Sequence, residues 1–331
     1  MKSRSMDLNT SSDQSRAELP WSPGKTPLML APLQGVTNRA LRACFIDRVR
    51  PDTVFTEFMQ ARNQGPKALS AADRREAGAV HGNVPLVAQL IGHRPDVLVL
   101  AAQTAQAAGA RHLNFNLGCP FGRHTTGLSG GALLSRPELL PEIIFALRAA
   151  ISGSFSIKLR AGYDNLEQIF SLLPLFAAAQ IDFLVLHPRT VVQKYGGYAD
   201  HTITARVVKE TPLPVIANGD IVSAAQGREV LQSTQAVGLM LGRGAIADPT
   251  LFSRLRGAAI EEPGEEELRQ GFCDYLGDLL ERYQPLFCGE QQILAKLKEI
   301  PAFVTDPRLL PLTQQLRRAR TLLDFRALLS N

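Results

Sequence analysis

FSIKLR (155–160), FLVLHP (183–188), PVIAN (214–218) and VGLMLG (237–242) are four short apolar runs in succession. Each is followed by a Gly-, Pro- or Asn-containing loop and then a segment of helical period. Runs of this length, rich in Val, Ile, Leu and Phe, read as strands buried on both faces of a parallel sheet. Working outward toward the N-terminus, the same unit recurs in PLMLAPL (27–33), TVFTEF (53–58), PLVAQLIG (85–92) and HLNFNLG (112–118). Eight alternations of strand and helix predict an α/β fold closed into a (β/α)8 TIM barrel, because an open doubly wound sheet more often has about five or six. The helical segments carry their own punctuation. RPDVLVLAAQTAQAAGA (94–110) has an apolar stripe and a terminal glycine. RPELLPEIIFALRAAI (136–151) is entered through a proline, and Pro141 within it predicts a late start or a kink.

The chain has 331 residues, enough for a barrel of roughly 250 residues and an appendage. The expected layout is a polar, disordered tail over 1–24, the barrel over 25–256 and an all-helical domain over 257–331. The first 24 residues lack the apolar core of a signal peptide. No run of 18 apolar residues is present, so no membrane span is expected. Four well-separated cysteines, Cys44, Cys119, Cys273 and Cys288, without a C-x-x-C pair, read as a reduced cytoplasmic chain with no disulfide and no metal site. The net charge of +5 is compatible with an anionic partner. Charge is divided along the helical tail. Residues 261–290 carry two basic and nine acidic side chains, and residues 291–331 carry seven basic and three acidic. Such a split suits a bundle with one cationic face, or an ordinary solvated one.

Barrel sites form where the C-terminal ends of the strands converge. Those ends are polar in every run here: Pro32-Leu33-Gln34, Glu57, Gln89, Asn116 then Cys119, Lys158 and Arg160, His187 and Arg189, Asn218-Gly219-Asp220, and Gly242-Arg243-Gly244. Singly, each has a structural explanation; His187 could be a satisfied core histidine and Cys119 a small core residue. Lys158 is harder to explain that way, since an ammonium inside an apolar run needs an anion or acceptor to meet it. Eight polar ends together favour a site. ANGDI (217–221) and LGRGA (241–245) follow the seventh and eighth runs, where glycines let backbone N–H groups approach a phosphate and Arg243 adds a bidentate donor.

In order and spacing, LAPLQGVTNRALR, FTEF, VAQLIG, NLGCP, SGGALL, IKLRAGYD, LHPRT…YGGYAD, VIANGDI and LGRGA resemble the tRNA-dihydrouridine synthases over about residues 28–255, and the helical tail resembles that family's RNA-binding domain. Among bacterial forms the likeness is nearest the C-type synthase, through TEF and the SGG run. The resemblance implies an FMN-containing barrel that reduces the uridine C5=C6 bond in tRNA with electrons from NADPH. It implies that Pro32, Leu33 and Gln34 lie along the flavin ring, and that Gln89, Lys158 and His187 contact the ring or ribityl chain. Asn218, Gly219, Asp220, Gly242 and Arg243 would hold the phosphate end. Cys119 would be the catalytic acid, protonating C5 after hydride from flavin N5 reaches C6. Asn116 would reach the uracil, with Arg189 near the substrate. A thiol with an ordinary pKa of about 8.5 is mostly protonated at neutral pH and suits that role.

Family departures fall at Leu33, Pro188 and Gly122, where methionine, glycine and nearby lysines are usual. The cationic candidates for tRNA phosphates are Lys296, Lys298, Arg308, Arg317, Arg318 and Arg320 on the tail, with Arg160, Arg123 and Lys194 nearer the pocket; Tyr195 and Tyr198 could stack on bases. A monomer acting on tRNA is expected. The alternatives are an FMN-dependent barrel oxidoreductase of a small molecule and a non-catalytic RNA-binding protein.

Overall fold

The computed structural model describes residues 17–62, 68–120, 128–260 and 262–330. Its strands are β1 (Leu28–Leu30), β2 (Thr53–Phe55), β3 (Met59–Gln60), β4 (Leu86–Ile91), β5 (His112–Leu117), β6 (Ser154–Gly162), β7 (Phe183–Thr190), β8 (Val215–Asn218) and β9 (Gly238–Leu241). All pair in parallel, in the order β2-β1-β9-β8-β7-β6-β5-β4-β3, and β2 also pairs with β4, which closes the barrel. Strands β2 and β3 are consecutive pieces of one stave, both set against β4. The fold is therefore the eight-stave TIM barrel read from the apolar runs.

Around it lie α1 (Arg39–Val49), α2 (Ala71–Ala77), α3 (Pro95–Ala107), α4 (Leu140–Ala150), α5 (Gln168–Ala178), α6 (His201–Glu210) and α7 (Ala224–Thr234), then the short α8 (Arg243–Ala247) and α9 (Leu251–Leu255). Local chemistry sets their ends. The Asn38 side chain accepts from the Ala40 and Leu41 N–H groups to start α1, and Ser223 does the same for Gln226 in α7. Pro141 gives the late start: a 3-10 turn over Pro137–Leu139 precedes α4, and the proline falls in its first turn, where no N–H is needed.

The barrel interior is layered. Met29, Phe55, Val87, Phe183, Val185, Ile216 and Met240 fill the lower part. Residues 17–24, expected to belong to a disordered tail, instead close the N-terminal end. Trp21 meets Phe183 edge-on with ring centroids 4.9 Å apart, and the Thr53 hydroxyl donates to the Pro20 carbonyl. Leu19 and Trp21 supply the apolar area that holds this segment down. Residues 1–16 lie outside the described residues.

After the barrel come α10 (Glu265–Tyr283), α11 (Glu290–Leu297), α12 (Leu310–Arg318) and α13 (Leu322–Leu329). Their apolar faces join the same hydrophobic cluster as Leu28, Leu30 and Phe45. Phe45 of α1 packs edge-on against Tyr275 of α10 at 5.9 Å. The tail thus shares a core with the β1–α1 side of the barrel. Cys44, read as a core residue, is fully buried there and donates to Asp278. No described helix is long and apolar enough to cross a membrane.

Candidate functional site

The C-terminal ends of the strands surround a cavity of about 830 Å³, within the range of small-molecule and cofactor pockets. Its walls include Pro32, Leu33 and Gln34 after β1, Asn116 and Cys119 on β5 and its loop, Lys158 and Arg160 on β6, and His187 on β7. Asn218, Gly219 and Asp220 follow β8, Gly242 and Arg243 follow β9, and Tyr195 comes from the loop after β7. Residues that span 212 positions in the chain are brought together because parallel strands point the same way. The register sets Asn116 beside Lys158 and Arg160 beside His187, and an irregularity after Arg160 re-aims the end of β6.

Below the cavity runs a polar chain across three staves. Asn116 Nδ2 donates to Gln89 Oε1 at 2.8 Å, Gln89 Nε2 to Asn114 Oδ1 at 2.8 Å, and Asn114 Nδ2 to Ser156 Oγ at 2.8 Å. Asn116 Oδ1 in turn accepts the N–H groups of Gly118 at 3.0 Å and Cys119 at 2.9 Å. The Cys119 turn is therefore fastened to the barrel interior through Asn116. From above, the SGG run packs on it. Gly131 donates to the Cys119 carbonyl at 3.0 Å, and a Cβ on Gly131 would lie 2.9 Å from that oxygen. Only glycine permits so close an approach. Gln89 is completely buried and is not part of the cavity wall.

Lys158 Nζ donates to Asn218 Oδ1 at 3.0 Å, while Asn218 Nδ2 donates to the Met240 carbonyl. Burial, then the neighbouring Arg160 charge, lowers the Lys158 pKa from 10.5 to about 8. Arg160 Nε donates to the Gly118 carbonyl at 2.9 Å and Nη1 to the Thr190 carbonyl at 2.8 Å. Its pKa falls to about 10, chiefly through burial, so it stays charged at neutral pH.

Arg189 lies beneath the cavity rather than in it. Its Nη1 and Nη2 make a bidentate pair with Asp220 at 2.9 and 2.7 Å, and Nη2 also donates to the Gly197 carbonyl at 2.6 Å. Burial alone would raise the Asp220 carboxyl, but the bonds from Arg189 and the Ala199 N–H outweigh it and hold the group below its ordinary value. Arg189 Nη1 lies 3.0 Å from His187 Nε2. A guanidinium can only donate, so Nε2 is the acceptor and the proton of the neutral ring sits on Nδ1. Burial and the adjacent Lys158 charge hold the imidazole well below its ordinary pKa, which keeps it neutral.

Tyr195 lies between two cations, 5.5 Å from the Arg160 guanidinium and 4.7 Å from that of Arg243. Beyond Arg243 the cavity continues to residues 302–309 of the tail, including Phe303 and Arg308. That wall was invisible in the sequence because the contact is long-range and the segment carries no motif. The tail cations read from the sequence as phosphate candidates divide into two sets. Lys296 Nζ donates to the Gly35 carbonyl at 2.6 Å, Lys298 Nζ to the Ala319 carbonyl at 2.9 Å, and Arg308 to Asp306 and the Pro263 carbonyl. Arg317, Arg318 and Arg320 are exposed. Lys194 and Tyr198 are exposed in the loop after β7. Gly122, Arg123 and His124 lie outside the described residues.

The sequence profile of the family Dihydrouridine synthase (Dus) matches residues 29–287. A probable tRNA-dihydrouridine synthase of Rhodobacter capsulatus is 30% identical over 298 residues, 88% of this chain and 90% of that protein. The tRNA-dihydrouridine synthase B of Vibrio parahaemolyticus is 30% identical over 266 residues, covering 78% and 81%. The tRNA-dihydrouridine(16) synthase of Cupriavidus necator is 30% identical over 248 residues, covering 72% and 76%. Equal identity to the last two means that overall similarity separates no subgroup. Among solved structures, the old yellow enzyme homologue from Zymomonas mobilis shares the fold with a TM-score of 0.54 at 17% identity, over 75% of this chain and 95% of that one.

Proposed function

Because the chain belongs to the dihydrouridine synthase family, oxidoreductases that act on uridine in tRNA, we propose that it reduces the C5=C6 bond of a tRNA uridine with FMN as cofactor and NADPH as reductant. One observation carries the reading. Lys158, Arg160 and Arg243 face one side of a single cavity beside Cys119, and Asp220, 3.4 Å from Arg243, is held more closely by the bidentate Arg189. That side of the cavity fits an anionic, acceptor-rich ligand, whereas elsewhere on the wall Arg254 pairs with Asp248 and Arg308 with Asp306.

The residues fit FMN by their donor chemistry. Arg243 and the N–H groups opening α8 suit a phosphate. A Cβ at Gly242 would meet nothing closer than Ala31 Cβ at 3.7 Å, so the backbone there is open to a close ligand. Pro32 and Leu33 offer an apolar wall, and Leu33 keeps that character where the family usually has methionine. The Lys158 ammonium and the His187 Nδ1–H offer donors to a polar ring edge. When bound, FMN would supply hydride chemistry at the cavity.

The chain's own residues supply the rest. Lys158, still mostly protonated at neutral pH, stabilises negative charge that develops on the ring side. Cys119 delivers a proton to uracil C5, and Asn116 fixes its aim by holding the two turn N–H groups. Asn116 thus acts through the thiol's position more than through the uracil. Tyr195 receives the base at the mouth, and the buried Arg160 against its ring holds the Gly118 carbonyl of the Cys119 turn. Arg317 and Arg318 on the tail, with residues 257–331 as the tRNA-binding domain, meet phosphates. The test is purified protein incubated with FMN, NADPH and unmodified tRNA, followed by mass spectrometry of the nucleosides. Dihydrouridine at a mapped position is the expected product. A protein that takes up no FMN and leaves the tRNA unchanged would refute the reading.

A further inference from the structure

Leu33 to Val36 form a tight turn on the cavity wall, closed by a bond from the Val36 N–H to the Leu33 carbonyl at 3.0 Å. Its third residue, Gly35, has φ +82°, a conformation this turn requires and side-chain-bearing residues avoid. Both polar groups of Gly35 are gripped from outside the turn. Its N–H donates to Glu57 Oε2 at 2.6 Å, and its carbonyl accepts from Lys296 Nζ at 2.6 Å. Glu299, one helical turn along, holds the same ammonium at 3.0 Å. Neither Glu57 nor Lys296 lines the cavity, whereas Pro32, Leu33 and Gln34 do.

We propose that Glu57 and Lys296 are positioning residues that clamp the Gly35 peptide and thereby set the cofactor-facing backbone of residues 32–34. The helical tail is then a structural part of the cofactor pocket, and Lys296 acts on the flavin site instead of on tRNA phosphate. The physical reason is the orientation of the turn. A central peptide free of outside partners can rotate between the two common turn forms, which present the Gln34 carbonyl in opposite directions. An acceptor on the N–H and a cation on the next carbonyl select one form. Bonds to charged partners are the strong ones among hydrogen bonds. The proposal rests on the flavin-dependent reading above.

Three measurements on the full chain test it, using Lys296→Met, Glu57→Ala, Glu57→Gln and, as a comparison, Arg317→Ala. Hydrogen exchange of the 33–37 backbone is read in the flavin-free protein. FMN affinity and the visible spectrum of the bound flavin are read by titration. The salt dependence of tRNA binding is read separately. Lys296→Met and Glu57→Ala are expected to speed exchange across the turn, weaken FMN binding about tenfold or more and shift its spectrum. Their tRNA salt slope should stay at the wild-type value. Glu57→Gln keeps an acceptor and should restore most of the protection. Arg317→Ala should lower the salt slope by about one and leave the flavin untouched. The clamp is overturned if Lys296→Met and Glu57→Ala keep wild-type exchange and flavin affinity, or if Lys296→Met lowers the salt slope as Arg317→Ala does. A wild-type protein without FMN affinity would sink the functional reading instead, and the exchange result would still decide the clamp.

Discussion

Replacing Lys158 by methionine is expected to make the flavin-free protein more stable and less able to bind flavin. Lys158 is held by Asn218 and has no carboxylate partner among the described residues, and its pKa drops from 10.5 to about 8. At about 1.4 kcal/mol for each tenfold change, keeping the ammonium there below pH 8 costs about 3 kcal/mol. Water in the cavity screens part of that, and the substitution also leaves Asn218 Oδ1 without its donor, a loss of about 1 kcal/mol. The net gain is about 1–2 kcal/mol, or a few degrees in Tm. The pH dependence identifies the cause. Between about pH 8 and 10.5 the unfolded chain binds a proton that the folded chain has released, so wild-type stability rises with pH in that window. The advantage of Lys158→Met should be full below pH 8 and vanish above 10.5. Urea unfolding of both proteins at pH 7 and across the alkaline window measures it. A difference that does not change with pH, or a wild type that is the more stable at pH 7, would refute the reasoning.

Cys119→Ala should retain FMN and lose dihydrouridine formation by at least about 100-fold, the usual scale of general-acid catalysis; product mass spectrometry decides, and near-normal turnover removes the acid role. Asn116→Ala leaves the Gly118 and Cys119 N–H groups without their acceptor, so stability should fall by about 1–3 kcal/mol and turnover should fall further than FMN affinity. Asp220→Asn strips the buried Arg189 of its anion and is expected to destabilise by about 3 kcal/mol. Since the Asp220 pKa is lowered on folding, that contribution is present above the unfolded value of about 4 and fades as pH falls below it. Chemical unfolding at pH 7 and pH 3 should therefore show the two proteins converging in acid.

The barrel was legible because its signal is local and repeated. Each apolar run is long enough for one buried strand, five of the helices α1–α7 begin at a Ser, Asn or Pro that satisfies or removes first-turn N–H groups, and eight repeats leave little choice of topology. The polar ends of those runs were legible for the same reason: Cys119, Lys158, His187 and Asn218 stand where strands end, and tertiary closure only had to gather them. What could not be read was which of the gathered groups already have partners. Gln89 and Arg189 sit at the same kind of position as Lys158, yet one is engaged by Asn114 and Asn116 beneath the cavity and the other by Asp220 and the Gly196 and Gly197 carbonyls. Residues 17–24 read as a polar tail, yet Trp21 and Leu19 seal the barrel floor. Lys296 read as one cation among several, but the fold delivers it to Gly35, 261 residues away in the chain. The sequence by itself determined the elements and the residue types offered to the site, since those follow from periodicity and backbone chemistry within a few residues. Only the tertiary structure decided which polar groups face the cavity and which hold the others in place, because hydrogen-bond partnership depends on ångström-scale distances between segments that the chain keeps far apart.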